Sequence, residues 1–78
     1  MKKLDARNNK IKDISPHIKA MMQLQILRLD HNDIVNLPIE IGDLQMLVEL
    51  SFSDNKVSQL PLSLGKLRQL KMLNMAEN

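Results

Sequence analysis

Residues 24–38 read LQILRLDHNDIVNLP, and Leu24, Leu27, Leu29, Asn32, Ile34 and Leu37 fall at offsets of 0, 3, 5, 8, 10 and 13. Leu27 and Leu29 alternate with Arg28 and Asp30, as side chains do along a strand, while the wider spacing follows no helical stripe. The series also gives one of its apolar places to an asparagine. A structure that uses this stretch needs a short strand followed by a corner where an inward amide is useful.

Shifting the chain by 23 residues repeats the pattern: residues 47–61 read LVELSFSDNKVSQLP, with Leu47, Leu50, Phe52, Asn55, Val57 and Leu60 in the same places. The asparagines continue as Asn9, Asn32, Asn55 and Asn78, and the residue five before each is Leu4, Leu27, Leu50 or Leu73. An unbroken four-member register identifies a tandem repeat. The consensus Leu-x-x-Leu-x-Leu-x-x-Asn-x-Ile/Leu resembles the leucine-rich-repeat family, and the resemblance extends over all 78 residues. LPIEIGDLQML (37–47) and LPLSLGKLRQL (60–70) further resemble the 23-residue subclass of Scribble-like and Ras-suppressor-like proteins. The matching part of the first copy, ISPHIKAMMQL (14–24), departs from it, with Pro16 one place late, Lys19 where Gly42 and Gly65 stand, and Met21 for leucine.

Each Leu-x-Leu segment predicts one short strand, and the following Pro and Gly predict a turn or short helical segment on the return leg. The proline presets a first-turn angle and the glycine would allow a left-handed exit. Successive strands are then parallel, each reached by a crossover. The expected fold is an α/β repeat: a curved leucine-rich-repeat solenoid with parallel strands on its concave face and turns, 3-10 or short helices on its convex face. One domain is expected over 1–78, with repeats at 1–23, 24–46 and 47–69 and a partial repeat at 70–78. Met1 fills a leucine position, Asn78 is a ladder position, and neither end carries sequence for a cap, so a segment of a longer array is expected. Such ends would favour self-association.

Leu24, Leu27, Leu29, Ile34, Leu37, Ile41 and Leu44 should form one core layer, and Leu47, Leu50, Phe52, Val57, Leu60, Leu64 and Leu67 the next. Asn9, Asn32, Asn55 and Asn78 are expected to be structural, each amide pairing with backbone groups of adjacent turns that would otherwise be buried unsatisfied. Met1, Met21 and Met75 occupy inward positions, while Met46 and Met72 are not assigned by the pattern.

The outward strand positions form columns across the sheet. The first holds Lys3, Ile26, Glu49 and Met72; the second Asp5, Arg28, Ser51 and Asn74; the third Arg7, Asp30, Ser53 and Ala76. Asn8, His31, Asp54 and Glu77 make the edge column. What the resemblance implies is a protein-binding face here. Asp5 beside Arg28, and Arg7 beside Asp30, predict crossed ion pairs between adjacent strands. Lys2, Lys3, Arg7 and Lys10 make one end basic, and Glu49, Asp54 and Glu77 make the other acidic. Ile26 and Met72 are the candidate apolar anchors within this polar field.

Composition narrows the function. Eleven Lys and Arg stand against nine Asp and Glu, for a net charge of +2, and the sole aromatic residue is Phe52. A nucleic-acid surface calls for a basic stripe, and single-strand binding for stacking platforms as well. No cysteine is present, so thiol catalysis, thiolate metal sites and disulfides are excluded. No apolar run suggests a signal peptide or membrane span, which with the missing cysteine favours an intracellular, cytoplasmic setting. Glycines are isolated rather than gathered in a phosphate loop, and neither His17 nor His31 belongs to a recognisable triad. A divalent cation at Asp30, His31, Asp33, Asp54 and Glu77 is a minor reading. Ser15-Pro16 suits a proline-directed kinase, whose product would place negative charge near Lys12 and Lys19.

The sequence therefore predicts a non-catalytic module, without cofactor or metal, that binds a protein through its concave face. Small GTPases and polarity or signalling proteins are the partners the resemblance suggests. The alternatives are the recognition arm of a signalling enzyme (kinase, phosphatase or cyclase) and a spacer in a long solenoid.

Overall fold

The computed structural model describes residues 2–78; the inward position expected for Met1 lies outside the described residues. Strands β1 (Lys3–Asp5), β2 (Ile26–Arg28), β3 (Glu49–Ser51) and β4 (Met72–Asn74) form one open sheet in chain order. All three pairings are parallel and in strict repeat register, running Leu4, Leu27, Leu50 and Leu73 in one row. Between strands the chain makes 3-10 turns at Pro16–Ala20, Ile39–Asp43 and Leu62–Lys66. Strands stack on strands and turns on turns, with the leucine layers between them.

Pro38 and Pro61 stand just before their turns in extended conformation, and their carbonyls accept the first turn bond, from Ile41 N–H at 3.1 Å and Leu64 N–H at 3.1 Å. In the first copy Ser15 holds that place. Its Oγ accepts a hydrogen bond from His17 N–H at 3.1 Å, and its carbonyl accepts one from Ile18 N–H at 3.0 Å, so capping by serine keeps the turn in register.

The first predicted layer is buried throughout, from Leu24 to Leu44. In the second, Leu47, Leu50, Phe52, Val57 and Leu67 are buried, Leu64 is half-buried, and Leu60 is exposed. Met21 packs against the core, whereas Met75 is exposed, contrary to its inward assignment. Leu60 and Met75 belong to the layer beyond β3, and the described residues place no further turn over it. Met46 and Met72 are both exposed.

The asparagines sit at the corner where strand becomes loop. Asn55 donates through Nδ2 to the carbonyls of Phe52 (2.9 Å) and Ser53 (3.1 Å) in its own turn and of Leu29 (3.0 Å) in the preceding one. Its Oδ1 accepts from Ile34 N–H at 3.0 Å. Asn32 repeats this with Leu29, Asp30 and Ala6 and with Ile11 N–H. Asn78 does so with Met75, Ala76 and Phe52 and with Val57 N–H. Asn9 bonds within its own turn, to Ala6 and Arg7 carbonyls.

Left-handed backbone occurs just before each of these amides, at Asn8, His31, Asp54 and Glu77, with φ between 54° and 61°. Neither glycine adopts it, so the predicted glycine exit is corrected. Gly42 serves close packing instead: a Cβ there would lie 2.5 Å from both Cβ and O of Ser63, while one on Gly65 would meet nothing within 4 Å. Gly42→Ala should therefore cost about 1–3 kcal/mol through overpacking, whereas Gly65→Ala should be neutral or stabilising by up to about 1 kcal/mol. Paired urea melts check this, and equal effects of the two changes would contradict the packing role.

Candidate functional site

The outward columns form as the register requires, with Lys3, Ile26, Glu49 and Met72 in one row and Asp5, Arg28, Ser51 and Asn74 in the next. Their charges pair differently from expectation. Arg7 forks onto Asp5 two residues earlier, with Nε at 2.8 Å from Oδ1 and Nη2 at 2.7 Å from Oδ2. Arg28 reaches diagonally to Glu49, Nε to Oε2 at 2.8 Å. The crossed pairs Asp5–Arg28 and Arg7–Asp30 do not form. A directly adjacent strand lies only about 4.8 Å away, so a long arginine overshoots a short aspartate beside it. A carboxylate about 7 Å off, two places along or diagonal, matches its reach.

Asp30 is claimed by serines. Its Oδ2 accepts from Ser51 Oγ at 2.8 Å, and its Oδ1 accepts from Ser53 Oγ at 2.8 Å and Ser53 N–H at 2.7 Å. Ser51 is only 3% exposed as a result, so it contributes little to the surface predicted to include it. Along the edge column, His31 Nδ1 lies 3.0 Å from Asp54 Oδ2, both side chains being exposed.

These pairings also damp the predicted basic-to-acidic polarity, since Arg7, Glu49 and Asp54 each have a partner of opposite or potentially opposite charge on the face itself. Exposed without a charged partner on the face are Lys3, Met72 and Asn74, while Asp5, Arg7, His31 and Asp54 are exposed within their pairs, and half-buried Ile26 lies between Lys3 and Glu49. Elsewhere, Ser15 Oγ and His17 Nδ1 are 3.3 Å apart on the exposed first turn, where the serine is occupied as a cap. Among the described residues no group of three His, Asp or Glu side chains is placed to hold a metal ion, so Asp30, His31, Asp33, Asp54 and Glu77 do not converge.

A family profile described as "Leucine-rich repeat region" matches residues 3–78. The chain belongs to the leucine-rich-repeat family. Among solved structures, a leucine-rich-repeat protein of Leptospira interrogans is similar at 37% identity with a TM-score of 0.95. That match covers 97% of this chain and 19% of the other, so the present chain spans about a fifth of that protein's length. No curated protein sequence matches the chain significantly. Leucine-rich-repeat proteins generally bind protein partners.

Within this leucine-rich-repeat sheet, three features were not read from the sequence. The left-handed column had an available signal, because Asn, Asp and His tolerate that conformation better than other side-chain-bearing residues. The serine clasp on Asp30 also lay in plain register, with Asp30 and Ser53 in one column. The diagonal Arg28–Glu49 pair had none, since side-chain reach decides it.

Partial burial works to raise the Asp30 pKa. Hydrogen bonds from Ser51 Oγ, Ser53 Oγ and Ser53 N–H, with His31 nearby, outweigh it and hold the carboxyl below its ordinary value. A depressed folded-state pKa contributes stability that is present above the unfolded value and lost as pH falls through the folded one. Asp30→Asn should thus lower the melting temperature at pH 7 by several degrees, of the order that follows from about 1 kcal/mol, and the deficit should shrink as pH falls below about 4. Thermal melts of both proteins from pH 7 to pH 2.5 check this; a deficit independent of pH would contradict the clasp.

Proposed function

We propose that this leucine-rich-repeat chain is a non-catalytic protein-interaction module that engages its partner through the outer face of the β1–β4 sheet. The observation that carries the reading is the self-contained pairing on that face. Asp5, Arg28, Asp30, Glu49 and His31 are already held by neighbours, so the surface is shaped before a partner arrives and little ordering remains to oppose binding. Ile26 and Met72 supply apolar contact in a polar frame made by Lys3, Arg7, Arg28, Glu49, Ser53, Asp54 and Asn74. This is the anatomy of an interface with a few anchors inside a hydrated rim.

The partner class follows from that chemistry: a protein surface presenting apolar side chains toward Ile26 and Met72 and hydrogen-bonding groups toward the second and third columns. Small GTPases and polarity proteins, suggested by the Scribble-like and Ras-suppressor-like resemblance, belong to this class without being singled out by any side chain. The same face would serve equally if the chain is the recognition arm of a larger signalling enzyme.

Photocrosslinking separates this reading from that of a spacer. A benzophenone side chain at Met72, on the sheet, should capture a discrete protein from a cell extract, and the same group at Leu62, on the third 3-10 turn, should not. Ile26→Glu should reduce the Met72 yield about tenfold, the loss of one modest anchor. Equal capture from both positions, or a yield indifferent to Ile26→Glu, would contradict binding through the sheet.

A further inference from the structure

Along the first three columns of the outer face, from β1 to β3, hydrogen-bond acceptors are largely consumed and donors are not. Both carboxylate oxygens of Asp5 accept from Arg7. Both of Asp30 accept from Ser51 and Ser53. Glu49 Oε2 accepts from Arg28 Nε, which leaves Oε1 as the one carboxylate oxygen of the set without a donor. Among the described residues, Nη1 and Nη2 of Arg28, Nη1 of Arg7 and Nζ of Lys3 make no hydrogen bond. The face is therefore complementary to a surface that brings acceptors.

Arg28 is the centre of that surplus. It stands on β2, with β1 and β3 paired on either side, so the interior of the sheet sets its surroundings. The two arginines of the face are used differently. Arg7 spends both Nε and Nη2 in a fork on Asp5, whereas Arg28 gives Glu49 its Nε alone, at 2.8 Å. That single bond anchors the guanidinium plane from one side and leaves its far edge, Nη1 with Nη2, open on a side chain that keeps 29% exposure. Two parallel N–H groups on such an edge match the two oxygens of a carboxylate. Ile26 lies two residues earlier on the same face of β2, about 7 Å away, and sets a half-buried apolar contact beside the open edge.

We infer that Arg28 receives a carboxylate of the partner protein on its Nη1–Nη2 edge, with an adjacent apolar side chain of the same segment on Ile26. The inference rests on the reading of the sheet as the binding face and adds the chemistry of what binds there: an acidic segment of a protein. A carboxylate suits the position better than a phosphate does. Asp5 stands directly across from Arg28 on β1, and Asp30, two residues along β2, is satisfied by serine donors that do not cancel its charge. A group carrying two negative charges is repelled by these neighbours, while a single charge is met by the fork. Glu49 is the positioning residue, since it fixes the guanidinium without occupying the edge that binds.

Selection of a random dodecapeptide library on the immobilised chain tests this, followed by fluorescence anisotropy with the most enriched peptide. The selected sequences should be enriched in Asp or Glu close to an aliphatic residue. Arg28→Lys keeps the charge and the reach to Glu49 but has no planar edge, and should weaken the peptide about tenfold. Arg68→Lys, the same change on an exposed arginine outside the sheet, should leave its affinity unaltered. Circular-dichroism melts establish that each variant is folded. Selected peptides without acidic enrichment, or no selected peptide at all, would overturn the inference. So would wild-type affinity in Arg28→Lys, or displacement of the peptide by inorganic phosphate at lower concentration than by acetate. Ile26→Asn separates the two levels of the reading: if it weakens the peptide and Arg28→Lys does not, the carboxylate site fails and the sheet stands, whereas if neither does, binding through the sheet fails as well.

Discussion

The amide of Asn55 fixes how far one turn of this chain lies from the next. It holds the backbone of its own turn through Phe52 and Ser53, and that of the preceding turn through Leu29 and Ile34, within a shell of apolar side chains that offers no alternative partners. A buried N–H or C=O without a partner costs about 1–3 kcal/mol, so the corner between strand and loop is tolerable only where such an amide stands. The leucine layers supply the drive to collapse, and that drive has no direction of its own. The amides give it one. They impose the 23-residue step, and the in-register strands follow from the step.

Everything on the outer face inherits this spacing. Because β2 and β3 stand in strict register, Arg28 finds Glu49 on the diagonal and Asp30 finds Ser51 and Ser53. The face is a set of short side chains bound to one another and long ones bound at a distance. Such a surface is rigid at small cost, which suits recognition by complementarity rather than by steering, since so few of its charges remain free to act at range.

Most of the scaffold was legible because the repeat states it several times over. Leu27, Leu29, Ile34 and Asn32 are each echoed one step later, and an inward position seen twice needs no other context. The first-copy turn held despite Lys19 and the displaced Pro16 because Ser15 caps in the proline's place, a substitution of hydrogen bonding for ring geometry. Leu60 and Met75 were misread for the opposite reason: the pattern assigns them inward places, and burial depends on what stacks beyond them. On the candidate face the columns were legible and the pairings were not, because periodicity states which residues are neighbours and is silent on which side chains have the length to meet. Gly42 shows the same limit, its need for a missing Cβ being set by Ser63 in the next turn.

The amide ladder is tested most directly by comparing urea unfolding of Asn55→Ala with that of Asn9→Ala. Alanine at 55 strands the buried Ile34 N–H and removes the Asn55 bond to Leu29 O, whereas alanine at 9 removes bonds confined to one exposed turn. The account predicts a loss of at least about 3 kcal/mol for Asn55→Ala and under about 1 kcal/mol for Asn9→Ala. Losses of equal size, or a fully cooperative and nearly wild-type transition for Asn55→Ala, would show that leucine packing sets the repeat spacing without the amides.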